Sequence, residues 1–215
     1  MNWKKNSTSA ISTLTPDFYC EIVRLTSVDG GDGVRLTLTG FSDGEEKRTL
    51  TLSADDFLSL GVMRGGLDEE AFQTLSDAAG RYTALRAAYR LLSAGQCSRK
   101  KLYEKLRARR ISEEDAHFAV ETAYAQGYID EDWQIASYIR TLAEKNLYGP
   151  RKIHASLAAK GYSGDAVRKA LAETLDEEKV LRLKRAFLEK KFGKTKPETP
   201  KEAQTMRAAL YKQGF

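Results

Sequence analysis

The side chains of this sequence best placed to do chemistry are cations. Arg99, Lys100, Lys101, Lys105, Arg107, Arg109 and Arg110 fall in one short stretch, and Arg140, Arg151, Lys152, Lys160, Arg168 and Lys169 form a second group further along the chain. Lysine and arginine at this density attract polyanions, because each phosphate they neutralise releases condensed counterions, and such binding weakens as salt rises. Taken singly, each of these residues is also explained as a solvated surface charge. The inference therefore concerns the two clusters and not any one member.

Other chemistries lack their parts. His117 and His154 are the only histidines, and neither has a His, Cys or acidic partner at ligand spacing, so no metal site is expected. Cys20 and Cys97 stand far apart without CxxC spacing and read as small buried apolar residues. The runs Asp130-Glu131-Asp132 and Asp176-Glu177-Glu178 gather carboxylates where helices start, and the helix dipole already accounts for acids there. Gly30-Gly31-Asp32-Gly33 has the composition of a phosphate cradle, but such a loop needs a helix N-terminus on one side with a lysine and a hydroxyl at set offsets. Both flanks here read as strands, so the segment is a hairpin tip. With no Ser/His/Asp constellation and no dinucleotide fingerprint, the sequence predicts a protein without catalytic activity, cofactor or metal. Trp133 and Tyr138 could stack on bases, but helical spacing favours packing against neighbouring helices. Tyr148, in a connection beside the second cluster, is open to either role.

The composition, 215 residues with 41% hydrophobic and 30% charged, suits a core-forming soluble chain and excludes collagen, mucin and bulk disorder. No apolar run reaches the roughly 18 residues of a membrane span, and Met1-Asn2-Trp3-Lys4-Lys5-Asn6 leads into Ser and Thr, so a cytoplasmic protein without membrane contact is expected. The net charge of +5 conceals an asymmetry. Residues 1–80 carry 7 basic and 13 acidic side chains, a net −6, whereas residues 81–215 carry 28 and 17, a net +11. That division separates an acidic module from one suited to a polyanion or an acidic protein face.

The elements that hold the cations follow from periodicity. In the module 1–66, Phe18, Cys20 and Ile22 alternate with Tyr19, Glu21 and Val23, and Val34, Leu36 and Leu38 alternate across the glycine tip, which predicts a hairpin. Ser42-Asp43-Gly44 precedes a third strand at 47–52, and Ser53 caps a short helix ending at Gly61 or Gly65-Gly66. From residue 67 the period becomes helical. Leu85, Ala88, Tyr89 and Leu92 make one stripe ended by Gly95; Ser98 caps a basic helix over 99–107; Ser112 and Asp115 open a third helix closed by Gly127.

This triplet recurs. Leu102, Leu106 and Ile111 match Ile153, Leu157 and Tyr162 at a displacement of 51, and Ala116, Ala119, Val120 and Tyr124 match Val167, Ala170, Leu171 and Leu175. A third copy holds Val180, Leu183 and Phe187, then Met206, Leu210 and Phe215. Three-helix copies at 67–129, 130–178 and 179–215, the last reduced to about two helices, bury a shared core when stacked. The expected fold is mainly α, tandem three-helix repeats forming an elongated curved body behind a small β-hairpin and short-helix module. Lys160-Gly161 and Gln213-Gly214 place glycine at the second-helix ends, and Pro150 and Pro200 sit at first-turn positions. The first copy has Arg109-Arg110 where the others have glycine, which predicts a different turn there.

The ordered motifs, Ser98-Arg99-Lys100-Lys101-Leu102, the run from Tyr128 to Arg140, and Gly149-Pro150-Arg151-Lys152-Ile153 with Leu157 and Lys160-Gly161-Tyr162, resemble the RecX family of bacterial regulatory proteins. The likeness covers nearly the whole chain and is strongest from Ala84 to Leu175; the N-terminal strands resemble an extension found in some members from Gram-positive lineages. It implies a monomeric, non-enzymatic repeat protein that binds the groove of a RecA filament on single-stranded DNA and mostly inhibits RecA in repair and recombination. The cations of both clusters are then the expected contacts to filament or DNA. Two other readings stay open on the residues alone. A helix-turn-helix-like module would show sequence-specific DNA affinity without RecA, and a helical-repeat adaptor would show little DNA binding or salt dependence.

Overall fold

The computed structural model describes residues 19–41, 44, 46–194 and 197–215. Phe18, Ser42-Asp43 of the second turn and Thr195-Lys196 of the last connection lie outside the described residues. The chain divides between Thr83 and Ala84 into two compact units.

The first unit is an antiparallel sheet with helical cover. Strand β1 (Cys20–Val28) turns through Asp29–Gly31 into β2 (Gly33–Thr39), and β3 (Lys47–Ser53) follows. Ser53 Oγ accepts from the Asp56 N–H to start α1 (Ala54–Ser59), as its sequence suggests. A further strand, β4 (Gly65–Leu67), pairs with Cys20–Ile22, giving the order β3-β2-β1-β4 where the sequence predicts three strands. Two glycines and a leucine carry no strand signal of their own; pairing with β1 creates the strand. The register between β1 and β2 slips at a bulge between Ile22 and Arg24, so Arg24 stays exposed and the inward position passes to Leu25, which packs partly buried against the core. Cys20, Ile22, Leu36, Leu38 and Leu52 bury one face under Phe72, Leu75, Ala78 and Ala79 of α2 (Glu69–Ser93). The hairpin tip is held as well: the Tyr82 hydroxyl donates to Asp29 Oδ2 at 3.0 Å and passes so close to Gly33 that a Cβ there would lie 2.6 Å from it.

In the second unit the repeat is a structural fact. The first copy joins the C-terminal half of α2 to α3 (Arg99–Arg107) and α4 (Glu113–Ala125), with Ala84, Ala88, Leu102, Leu106, Ala116, Ala119, Val120 and Ala123 buried between them. The second copy is α5 (Glu131–Glu144), α6 (Pro150–Ala159) and α7 (Gly164–Thr174) around Ile135, Ile139, Ile153, Leu157, Val167 and Leu171. The third supplies α8 (Glu177–Phe192) and α9 (Pro200–Gln213), where Thr199 and Glu202 form a full capping box and Pro200 opens the helix. Among the described residues no helix is long and apolar enough to cross a membrane.

One expectation is corrected. Arg110 takes φ +63°, the same left-handed turn as Gly161 at +90° and Gly214 at +93°, so the second-helix turn is alike in all three copies. An exposed turn accommodates an arginine there at a modest cost of about 1 kcal/mol. Glycine is demanded elsewhere by space: a Cβ on Gly214 would sit 2.5 Å from the Lys152 backbone nitrogen, and one on Gly149 would sit 2.4 Å from the Gly214 carbonyl carbon. Gly214→Ala is therefore expected to combine left-handed strain of about 1–2 kcal/mol with overpacking of about 1–3 kcal/mol. Gly127→Ala, whose Cβ meets nothing within 4 Å, should show only the first of these. Urea unfolding of the two variants measures the difference.

Candidate functional site

The cations stand around two junctions where one copy meets the next, and both junctions follow one rule. The C-terminal turn of each second helix docks on the N-terminal turn of the preceding copy's second helix. Between copies one and two, Ser98 Oγ donates to the Lys160 carbonyl at 2.8 Å while accepting from the Lys101 N–H that begins α3. Glu131 completes that helix start: one carboxylate oxygen accepts the Arg99 N–H at 2.8 Å and the other meets Arg99 Nε at 3.3 Å. Below it the Tyr162 hydroxyl donates to Gln134 Oε1 at 2.7 Å inside the core, and burial drives the Tyr162 phenol upward in pKa, with Tyr138 and Glu131 adding to the shift.

Between copies two and three the same positions meet through backbone. Gly149, 51 residues after Ser98, donates its N–H to the Gln213 carbonyl at 2.8 Å, and the Arg151 N–H reaches the Gly214 carbonyl at 3.2 Å. Gln213 Nε2 donates to the Asn146 and Leu147 carbonyls, both at 2.9 Å. Donors that a helix N-terminus leaves unpaired are thus satisfied by carbonyls that a helix C-terminus leaves unpaired.

Four of the sequence-predicted cations belong to these junctions. Arg99 pairs with Glu131 and lies over the Tyr124 ring at 4.3 Å. Arg151 donates to the Phe215 carbonyl and lies over Tyr211, Lys152 Nζ stands 4.0 Å over Tyr148, and Lys160 Nζ stands 4.8 Å over Tyr138. Most of the remainder face solvent. Lys101 pairs with Glu104, Arg107 and Arg109 donate to the carbonyls of Ile111 and Lys105, and Arg168 pairs with Asp165; Lys100, Arg110, Arg140 and Lys169 are exposed, and Lys105 is half-buried. The first cluster therefore occupies one helix and its C-terminal turn, whereas the second is spread over α5, α6 and α7.

Arg99 and Lys100 also line a cleft of about 510 Å³ at the first junction, with Tyr103, His117, Glu121 and Ser163. The His117 ring packs on Tyr103 at 4.5 Å between centroids, and His154 is half-buried with its Nε2 unpaired. Among the described residues no group of three or more His, Cys, Asp or Glu side chains converges on a point. Cys97 is buried at this junction's edge, and burial raises its thiol pKa against the pull of Lys105 and Lys101. Tyr138 packs near Tyr162 as expected, but Trp133 does not pack inward: it is 53% exposed, because Gln134, Ile135 and Ile139 take the inner face of α5. Glu131 and Gln134 are the residues sequence reasoning missed, and the only hint of them was a buried-side amide at position 134 in an apolar stripe.

Fold and site together define a tandem three-helix-repeat protein whose polar machinery is spent on joining copies and whose remaining cations face outward. No family model matches the chain, but individual relatives do. It is 28% identical over 176 residues to the regulatory protein RecX of Caldanaerobacter subterraneus, covering 81% of this chain and 85% of that one. It is 37% identical over 102 residues to RecX of Thermus thermophilus, covering 47% of this chain and 70% of that one. A crystal structure of regulatory protein RecX shares the fold with a TM-score of 0.70 at 20% identity over 91% of this chain and 94% of that chain. RecX from Lactobacillus salivarius does so with 0.57 at 23% over 63% and 88%. This chain belongs to the RecX family of regulatory proteins.

Ser98→Ala should cost more than an ordinary cap. It loses the cap, about 1 kcal/mol, and strands the Lys160 carbonyl for roughly another 1–3 kcal/mol. Ser112→Ala, whose hydroxyl serves only Asp115 of its own helix, should lose about 1 kcal/mol. Equal losses in chemical denaturation would show that the hydroxyl does not join the copies.

Proposed function

We propose that this protein binds RecA filaments on single-stranded DNA and limits RecA activity in repair and recombination, without catalysis of its own. Family membership supports RecA as the partner, and one observation carries the mechanism: two consecutive copies, tied by a common junction, each present exposed cations. Lys100, Lys101, Arg107, Arg109 and Arg110 are so presented by the first copy, and Arg140, Arg168 and Lys169 by the second. Copies held in fixed relation can meet successive protomers or phosphates of a repeating polymer together, so that each further contact forms at high effective concentration. Arg99, Arg151 and Lys152 act chiefly by holding the copies together, and the Lys160 side chain packs on Tyr138 of its own copy.

The test is DNA-dependent ATP hydrolysis and strand exchange by RecA, with and without this protein, across a salt series. Inhibition that weakens as salt rises is expected, and no effect at excess protein would refute the reading. Changing Lys100, Lys101, Arg109 and Arg110 together to Glu leaves the junction contacts of Ser98 and Glu131 in place and should raise the concentration for half-inhibition by about tenfold or more. Unchanged inhibition by that variant would remove the electrostatic part of the mechanism.

A further inference from the structure

A groove of about 490 Å³ opens between α5, the C-terminal end of α7 and α8. Ala143, Leu175, Leu183 and Ala186 give it an apolar lining, and Arg140, Lys179 and Arg182 stand around them against a single carboxylate, Glu144. A concave apolar surface with a few charged groups of mostly one sign has the makeup of a ligand site.

The first copy carries an aromatic pair at the corresponding positions. Tyr89 and Tyr128 precede Arg140 and Lys179 by 51 residues, the repeat displacement. Their rings pack 4.9 Å apart, and the Tyr89 hydroxyl donates to Gln126. Leu92, at the position of Ala143, packs against the first copy's core. In the second copy the two stacked aromatics have become two cations and the leucine has become a methyl group. Three like charges around one groove repel, and the chain answers them only in part. Lys179 is held by Asp176 and the Thr174 carbonyl and Arg182 by Glu178, while Arg140 has no ion-pair partner among the described residues.

We propose that this groove docks an acidic peptide segment of a protein partner, with one apolar side chain seated on Leu175, Leu183 and Ala186 and flanking carboxylates paired with Arg140, Lys179 and Arg182. A nucleic acid backbone would use the cations but has nothing to place on the aliphatic floor, and stacked bases need aromatic platforms that the groove lacks. An anchor residue in an apolar pocket ringed by charge-assisted contacts uses both halves of the site. The inference rests on the proposed function only for the partner's identity.

The full chain, without RecA or DNA, is titrated with a fluorescein-labelled peptide carrying one phenylalanine between pairs of glutamates, read by anisotropy. Saturable binding that weakens with salt is expected, and replacing the phenylalanine by alanine should weaken it about tenfold. Ala186→Trp, which fills the groove from an exposed position, and the double change Arg140→Tyr with Lys179→Tyr, which installs the first copy's aromatic pair, should each cost about tenfold with the melting temperature kept. Unchanged affinity in both variants, an alanine peptide that binds equally well, or an oligothymidylate that displaces the peptide at equal concentration would each overturn the proposal. Because RecA is absent, failure here leaves filament inhibition to its own assay, and failure there leaves this binding intact.

Discussion

The second helices of the second and third copies each end on the beginning of the preceding copy's second helix, and the rest of the unit depends on that contact. A helix start exposes N–H donors and a partial positive charge, and a helix end exposes carbonyls and a partial negative charge. Setting the Gln213-Gly214 turn on Gly149 and Arg151, and the Lys160 turn on Ser98, cancels both deficits at once. The contact works only at backbone range, which is why glycine stands at 149, 161 and 214. At Gly161 a Cβ would come within 2.8 Å of the Ser98 hydroxyl. Stability in such a chain is close to a sum of copies and of interfaces between them, so the junction is as much a part of the fold as the core.

The same contact explains an oddity of charge. Helices α3 and α6 begin with Arg99-Lys100-Lys101 and Arg151-Lys152 and carry no acid in their first turns, against the preference of the helix dipole for anions there. The docked carbonyl turns, and Glu131 at the first junction, supply the missing negative charge from another copy. Cations that look ill-placed on their own helix are well placed once the neighbouring copy is present. What is left over is a smaller outward set, and this is the set available to an external anion.

Local rules carried most of the architecture. The change from period two to period 3.6 near residue 67, the caps at Ser53, Ser98 and Ser112, the acidic helix starts after 130 and 176, the prolines at 150 and 200 and the 51-residue displacement all speak through near neighbours in the sequence, and each is found in the structure. Whatever depends on distant partners was silent. Strand β4 exists because β1 is there to pair with it, Glu131 caps a helix that begins 32 residues before it, and Trp133 is exposed although its helical position resembled a packing one. The glycines at 127 and 161 look alike as helix terminators; only the neighbouring copy shows that one is tightly packed and the other free.

A repeat also lets one copy serve as a control for another. Both complete copies keep the buried stripe, Ala84 and Ala88 answering Ile135 and Ile139, and Leu102 and Leu106 answering Ile153 and Leu157. Core volume is constrained in each by the helices around it, so substitutions there stay within the apolar class. At the edge of the first helices and in the segments that follow the third, the copies part: Tyr89 and Tyr128 in one, Arg140 and Lys179 in the other. The aromatic pair packs ring on ring at the edge of its copy, whereas the charged pair sets like charges around a groove lined by Leu175, Leu183 and Ala186. An exchange that gives up aromatic contact and raises field strength around a concavity suits recognition better than folding.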